Sequence, residues 1–200
     1  GLSNVPAWYA SRFTTLADLR GWERPAALQL EYSLIARNLE REHAPLAREL
    51  GLSLTPWSPL GGGFLTGKFS RVNGVIQGSG RAVDMMNSGH PVIERLVKRE
   101  QNWVVLDGVR RVAAELGRTP GDVALAWVLS RPGVTSTLVG ATRVEQLKAN
   151  LAAVDVALPG DALSTLDALS ARELTELEYF FVDATQQRIT GATSVTRTCA

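Results

Sequence analysis

The sequence has little cysteine, no long apolar run and no excess of charge of either sign. Cys199 is the one cysteine in 200 residues, which excludes an intrachain disulfide and makes a reducing cytoplasm the expected compartment. Cys199, His43 and His90 do not have the spacing of zinc ligands, so no metal site is predicted. The apolar runs fall well short of the roughly 18 residues of a membrane span, and no membrane partner is expected.

The charge balance also narrows the class of ligand. The 21 basic and 20 acidic residues are mixed along the chain and leave a formal net charge of +1. Nucleic-acid and anionic-membrane surfaces need clustered positive charge, so neither partner is predicted. An apolar content of 45% is typical of a globular domain with a core, and the expected ligand is a small molecule.

Strand-like and helix-like segments alternate along most of the chain. Strands are predicted at 27–32, 52–57 and 134–139, and helices at 42–50, at 105–116, after Thr119-Pro120, after residue 142 and from residue 159. This alternation predicts an α/β fold with a parallel sheet, either doubly wound or part of a barrel. Because Gly1-Leu2-Ser3-Asn4 resembles a strand end with no preceding partner, we expect the chain to begin inside a domain.

Three local patterns add detail to this prediction. Thr142-Arg143-Val144-Glu145 has the form of a capping box at a helix start. Residues 58–90 are rich in glycine and predict a long loop, a feature that is usually functional or disordered. Residues 171–200 have no clear period, and the tail from Thr190 is expected to be disordered.

The glycine loop has two interpretations before any family is considered. Residues 62–68 nearly match a phosphate-binding P-loop, but Phe69 occupies the position of the magnesium-binding Ser or Thr, which leaves a triphosphatase as a minor alternative. The glycines could instead form only a flexible turn. Against this, Trp57 ends a predicted parallel strand and leads into the loop, at the edge where α/β folds bind ligands.

Four motifs together are similar to one family, the aldo-keto reductases, and in particular to the branch related to potassium channel beta subunits. In chain order they are Gly1-Leu2-Ser3-Asn4, Gln29-Leu30-Glu31-Tyr32-Ser33-Leu34, the run from Trp57 to Lys68, and the run from Val139 to Leu147 with Asn150. The family fold is an eight-stranded (β/α) TIM barrel. The resemblance implies that residues 1–170 form its last three to four β/α units and that 171–200 diverge.

The resemblance assigns NADP as cofactor and gives each matching residue a role. Ser3, Asn4 and Gln29 would hydrogen-bond the nicotinamide carboxamide, and Trp57 would stack on the nicotinamide ring. The residues expected along the pyrophosphate are Ser58, Leu60, Gly62 and Lys68, and the same loop adds Pro59 and Gly61 to the predicted cofactor-binding set. The residues expected at the adenosine end are Gly140, Thr142, Arg143, Gln146 and Asn150. A helix start beside Thr142 and Arg143 also suits a 2′-phosphate on physical grounds, which favours NADP over NAD.

The same resemblance leaves the catalytic residues outside this segment. The family reduces carbonyls with an Asp, Tyr, Lys and His tetrad, whose positions would lie upstream, so no catalytic residue is predicted here. Ala149 also replaces a Glu that often precedes the position of Asn150. Three alternatives stay open: the cofactor-binding half of a reductase acting on a small carbonyl substrate, a cofactor-binding module like the channel beta subunits, or an inactive fragment with open sheet edges.

Overall fold

Short parallel strands form the centre of the fold. A computed structural model describes residues 1–72, 75–78, 88–89 and 91–191. The strands of the central sheet, in spatial order, are β1 (Leu2–Ser3), β2 (Ala27–Gln29) and β3 (Ser53–Leu54). A single parallel bridge joins Leu54 to Val134, so the chain near Val134 is the fourth neighbour in the sheet. The predicted parallel order is confirmed.

Helices connect the parallel strands, as parallel pairing requires. The α-helices are α1 (Ala7–Arg20), α2 (His43–Leu50), α3 (Pro91–Lys98), α4 (Glu100–Glu115), α5 (Pro120–Leu129), α6 (Val144–Ala152), α7 (Gly160–Leu169), α8 (Glu176–Tyr179) and α9 (Asp183–Thr190). The 3₁₀ helices are Asn38–Glu40, Gly61–Thr66 and Ala153–Asp155. Strands β4 (Phe69–Val72) and β5 (Val75–Gly78) pair antiparallel as a separate hairpin.

The sheet has one apolar and one polar side. Leu2, Leu28 and Leu54 lie in one register row, and the side chains of Leu28 and Leu54 are buried in the core. The next row pairs Ser3 with Gln29, which are exposed and half-buried respectively. Because successive strand residues face opposite sides, the leucines pack into the core while the polar row stays open.

Helix α5 begins and is buried as its sequence predicts. Thr119 Oγ1 accepts a hydrogen bond from the Asp122 amide at 3.2 Å, and the Asp122 carboxylate accepts one from the Thr119 amide at 3.0 Å. Pro120 occupies the first helical turn, where its missing N–H costs nothing. Residues 123–128 of this helix are all buried. A helix that is apolar on all sides is stable only when it is buried on all sides, and α5 is buried in this way.

The regular strands are shorter than predicted. Regular pairing ends at Gln29 in β2 and at Leu54 in β3, and only isolated bridges follow, such as the one between Glu31 and Trp57. Pro56 has no amide hydrogen, so it cannot donate to a ladder beyond β3. The predicted strand at 134–139 is wrong in extent, because only Val134 forms a bridge.

The prediction of one long loop over 58–90 is also wrong in part. The 3₁₀ helix Gly61–Thr66 and the hairpin of β4 and β5 lie within it, while residues 73–74, 79–87 and 90 fall outside the described residues. Beyond residue 171, helices α8 and α9 form where no period is visible. The disorder predicted from Thr190 onward falls mainly on residues 192–200, which lie outside the described part. Within the described ranges, no helix has the length and apolar character needed to cross a membrane.

Candidate functional site

The carboxyl ends of β1, β2 and β3 bring together the residues predicted for the nicotinamide end. The indole N–H of Trp57 donates to Asn4 Oδ1 at 3.0 Å, and Ser3 Oγ donates to Gln29 Oε1 at 3.3 Å. The Asn4 amide donates to the Gln29 carbonyl at 3.1 Å. Because parallel strands all end at the same edge of a sheet, residues separated by 53 positions become neighbours. Ser3, Asn4, Gln29 and Trp57 therefore form one polar and aromatic cluster.

Backbone hydrogen bonds fix the position of Trp57. Its amide donates to the Leu30 carbonyl at 2.9 Å, and its carbonyl accepts from the Tyr32 amide at 3.2 Å. Asn4 has a φ of 53°, in the left-handed region that Asn tolerates better than most residues. In the Asn4 side chain only Oδ1 is bonded within the described residues, so the two hydrogens on Nδ2 are available to a ligand.

The glycine loop folds back on itself. Ser58 Oγ accepts from the Gly62 amide at 3.1 Å, while the amides of Gly61 and Gly63 donate to the carbonyls of Ser58 and Leu60 at 2.9 and 3.0 Å. These three amides are therefore not available to cradle a phosphate as the amides of a P-loop do. The polar groups that the loop offers are instead the Ser58 hydroxyl hydrogen and the exposed Lys68 ammonium.

The structure contradicts the triphosphatase interpretation of this loop. A P-loop leads directly into a helix whose N-terminus faces the phosphates. Here residues 61–66 form a 3₁₀ helix, and Phe69 begins strand β4. No α-helix starts at the predicted position, so the helix dipole that this chemistry requires is not supplied.

The loop is anchored to the core on its apolar side. The Phe64 side chain is 1% exposed, and its ring lies 5.4 Å from that of Phe69 and 4.9 Å from that of Trp103, measured between centroids. Pro59 is buried, and Leu60 packs against the core. Of the loop residues predicted to bind the cofactor, Pro59 and Leu60 thus face the core and support the loop.

The predicted adenosine residues meet at the start of helix α6. Both the amide and the hydroxyl of Thr142 donate to Gln146 Oε1, at 2.9 and 3.1 Å, and Asn150 Nδ2 donates to the Gly140 carbonyl at 3.4 Å. The capping box predicted for Thr142 and Glu145 is wrong, because the N-cap is Arg143 and no side chain caps the helix. The Gln146 amide oxygen, one turn along, binds Thr142 instead.

Arg143 is the N-cap residue of helix α6. Its side chain is exposed, and among the described residues it has no ion-pair or hydrogen-bond partner. The first-turn amides of a helix without a side-chain cap are also free to bind an anion. The Leu138 amide donates to the Pro56 carbonyl at 2.8 Å, which ties the preceding segment to the strand that carries Trp57.

Tyr32 lies behind the cluster and forms part of a buried polar network. Its hydroxyl donates to Glu40 Oε1 at 2.6 Å, and its ring lies 5.3 Å from that of Trp127. Burial first, and then the hydrogen bond to Glu40, raise the pKa of the Tyr32 hydroxyl. Tyr32 therefore stays protonated at neutral pH and donates a hydrogen bond to Glu40.

Sequence reasoning missed one residue that contacts the glycine loop. The guanidinium of Arg110, on helix α4, donates to the carbonyl oxygens of Gly67 and Phe69. The apolar spacing of Val105, Val109 and Val112 marks the buried side of α4 but does not distinguish Arg110 from its basic neighbour Arg111. No local signal in the sequence could have found this contact, since it joins positions 41 to 43 residues apart.

The protein is of the α/β class with a parallel sheet, and polar and aromatic side chains lie at the carboxyl edge, where α/β folds commonly bind ligands. The comparison with known sequences makes the class specific. The sequence model of the Aldo/keto reductase family matches residues 1–171, and the chain belongs to that family. The family fold is a (β/α)₈ barrel, and its members are oxidoreductases that generally use nicotinamide cofactors on small carbonyl compounds.

The relatives of this chain include oxidoreductases and potassium channel beta subunits. The chain is 34% identical over 167 residues to the uncharacterized oxidoreductase YrpG of Bacillus subtilis, covering 84% of this chain and 47% of that protein. It is 35% identical over 156 residues to a probable voltage-gated potassium channel subunit beta of Arabidopsis thaliana, covering 74% and 45%. An aldo-keto reductase of Pseudocercospora fijiensis is 29% identical over 187 residues, covering 90% and 62%. The chain spans about half the length of the first two relatives.

Proposed function

We propose that this chain is the cofactor-binding half of an aldo-keto reductase that transfers a hydride from NADPH to an aldehyde or ketone. In this proposal residues 1–170 correspond to the last three to four β/α units of the barrel, and 171–200 are a divergent extension. The observation that supports it most directly is the hydrogen bond between Trp57 and Asn4, with Gln29 beside them at one sheet edge. These are the groups that a nicotinamide requires.

The nicotinamide end would use side chains of two kinds. A carboxamide has both donors and acceptors, which suit the free Asn4 amide hydrogens, the Gln29 amide and the Ser3 hydroxyl. The aromatic ring of the cofactor would stack on the Trp57 indole. Since the Trp57 N–H is bonded to Asn4, the indole is held in a fixed orientation before any ligand binds. Such preorganisation reduces the entropic cost of binding.

The phosphates would be held by cations rather than by a cradle of amides. Because the amides of Gly61, Gly62 and Gly63 are bonded within the loop, Lys68 and the Ser58 hydroxyl are the groups proposed for the pyrophosphate. Arg143, exposed at the start of α6, is the group proposed for the 2′-phosphate. A guanidinium binds a phosphate with two parallel hydrogen bonds, which supports a preference for NADP over NAD.

The cofactor would supply the hydride, and the proton must come from an acid outside the described cluster. Tyr32 is buried and donates to Glu40, so it does not face a substrate. A positioned acid contributes a factor of about 10² to 10⁴ to such reactions. We therefore propose that this chain without the family's tetrad binds cofactor but does not reduce aldehydes at an enzymatic rate.

The similarity to channel beta subunits favours a second candidate, a cofactor-binding module that senses the nicotinamide state without turnover. Both candidates require the same cofactor site. They differ in whether the tetrad accompanies it in the intact protein. An aldehyde-reduction assay of a polypeptide that joins this chain to its natural upstream sequence separates them, because only the reductase consumes NADPH.

The cofactor assignment is tested by calorimetric titration of the full 200-residue chain with NADPH and NADH. Arg143→Ala should weaken NADPH binding about tenfold, or about 1.4 kcal/mol, and leave NADH nearly unchanged. Lys148→Ala, which removes an exposed cation from the same helix, is the matched control and should change neither affinity. Trp57→Ala should weaken both cofactors alike.

Two results would contradict the proposal. If the unaltered chain binds neither cofactor, the cofactor-binding function is wrong. If Arg143→Ala weakens NADH as much as NADPH, the cofactor site stands but Arg143 does not recognise the 2′-phosphate.

A further inference from the structure

A side chain of helix α4 forms hydrogen bonds with the C-terminal part of the glycine loop, at Gly67 and Phe69. Arg110 Nη2 donates to the Gly67 carbonyl at 3.2 Å and also to the Phe69 carbonyl, and these two residues flank Lys68. Asp107, three residues earlier on the helix, accepts from Arg110 Nη1 at 2.9 Å. One guanidinium, itself oriented by a carboxylate, therefore holds both peptide carbonyls around Lys68.

This part of the loop needs an external restraint. Gly67 has a φ of 78° and no side chain to pack, and Lys68 is exposed with no partner among the described residues. The earlier part of the loop is fixed by Ser58 and by the buried Phe64 ring. Glycine loses more conformational freedom than other residues when it is ordered. A hydrogen bond to the Gly67 carbonyl therefore restricts the backbone at Lys68.

We propose that Arg110 is a positioning residue for the cofactor. It holds the backbone from Gly67 to Phe69 so that the Lys68 ammonium stays at the cofactor pyrophosphate. The inference rests on the proposed function, since that function assigns Lys68 to the pyrophosphate. Three of the guanidinium donor contacts go to protein oxygens, so Arg110 acts through the backbone of Lys68 and not on the cofactor.

A merely structural role for Arg110 makes a different prediction. In that case the loss of Arg110 would lower the stability of the whole fold, and NADPH affinity would fall by the same factor whether or not Lys68 is present. A positioning role confines the effect to the loop and to binding that depends on Lys68. Arg111 offers a matched control, because it is the adjacent residue, carries the same charge, is exposed and has no partner within the described residues.

The first measurement needs no ligand. Trypsin cuts after lysine, so cleavage of the Lys68–Phe69 bond, followed by mass spectrometry, reports how often this segment opens. Arg110→Ala should speed this cleavage about tenfold, in proportion to the open population, whereas Arg111→Ala should not. Each substitution removes one arginine at which trypsin could cut, so the two variants have the same number of cleavage sites. Equal cleavage rates at Lys68 in the two variants would overturn the proposal.

The second measurement is a double-mutant cycle on NADPH affinity with the full chain. Arg110→Ala should weaken NADPH about tenfold when Lys68 is present and have little effect in the Lys68→Ala background, because coupled residues are not additive. Arg111→Ala should change neither value. An equal loss in both backgrounds would show that Arg110 does not act through Lys68.

Failure of the proposed function is separable from failure of this inference. If the unaltered chain does not bind NADPH, the cofactor assignment falls, and the tryptic rate at Lys68 still decides whether Arg110 restrains the loop. If Arg110→Ala fails to fold, as circular dichroism would show, Arg110→Lys replaces it. A lysine keeps the charge but not the fork of donors, so cleavage should still be faster than in the unaltered chain. No change with Arg110→Lys would then count against the inference.

Discussion

Trp57 and Asn4 lie 53 positions apart in the sequence, yet the indole N–H of one donates to the side-chain oxygen of the other at 3.0 Å. The bond joins the residue that follows β1 to the segment that follows β3, and these two strands flank β2 in the central sheet. It therefore links the stability of the sheet edge to the geometry of the candidate cofactor site.

Trp57→Phe keeps an aromatic ring but removes the donor of this bond. We expect the free energy of unfolding, measured by urea titration, to fall by about 1 kcal/mol, the usual net value of a hydrogen bond. Trp8→Phe is the control, since Trp8 is 64% exposed and its indole makes no hydrogen bond within the described residues. Equal losses in the two variants would mean that the Asn4 contact adds nothing to stability.

A second prediction concerns Asp167. Its carboxylate accepts the Trp127 indole N–H at 3.0 Å and bonds Arg131 at 3.0 Å, and both Arg131 and Arg37 lie over the buried Trp127 ring. Asp167→Ala should lower the free energy of unfolding by about 2 kcal/mol, within the range for hydrogen bonds to charged groups.

Asp167→Asn should cost less than Asp167→Ala, because the amide oxygen can still accept from the indole. Asp155→Ala serves as the control, as Asp155 is exposed and has no partner in the described ranges. A loss of more than about 0.5 kcal/mol in the control, or none at Asp167, would contradict the role given to this network.

The glycine loop yields a third prediction. Gly67 has a φ of 78°, and a Cβ added there would lie 2.9 Å from Pro120 Cγ. Gly51 has a φ of 66° but open space around its Cβ position. Gly51→Ala should therefore cost only the left-handed backbone penalty of about 1–2 kcal/mol, and Gly67→Ala should cost more. Thermal unfolding of both variants tests this, and a smaller shift for Gly67→Ala would be inconsistent with the close contact.

The fourth prediction is a pH dependence at Glu178. A hydrogen bond from Arg172, followed by bonds from Thr175, lowers the pKa of the Glu178 carboxyl to about 2. Arg41 also lies within 3.3 Å of this carboxylate, so Glu178 fastens helix α8 to the rest of the fold. Because the folded pKa lies below the unfolded one, the stabilisation is complete above about pH 4.5 and is lost as the pH falls towards 2.

The unaltered chain should accordingly be more stable than Glu178→Gln at pH 7, and the difference should shrink between pH 4.5 and 2. Urea unfolding at several pH values measures it. Glu176→Gln, an exposed carboxylate on the same helix, is the control and should behave like the unaltered chain at neutral pH. A difference between Glu178→Gln and the unaltered chain that does not change with pH would contradict the ionic role of Glu178.

Local patterns predicted the features that depend on neighbours in sequence. The cap and first turn at Thr119-Pro120 and the end of α2 at Gly51, with its left-handed φ of 66°, lie where the sequence indicates them. The Thr142 prediction was wrong because a capping box and a Thr–Gln pair share the same spacing range, and only the structure shows which oxygen Thr142 meets.

The sequence by itself determined the family and the parallel order of the strands. It could do so because hydrophobic periodicity, turn residues and contiguous motifs are properties of short segments. Tertiary structure alone decided that Trp57 bonds Asn4, that the amides of Gly61 to Gly63 bond within the loop, and that Arg110 binds the carbonyls of Gly67 and Phe69. Those contacts depend on strand register and on the packing of α4 against the loop. Neither is fixed until distant segments meet, so no pattern within one segment could predict them.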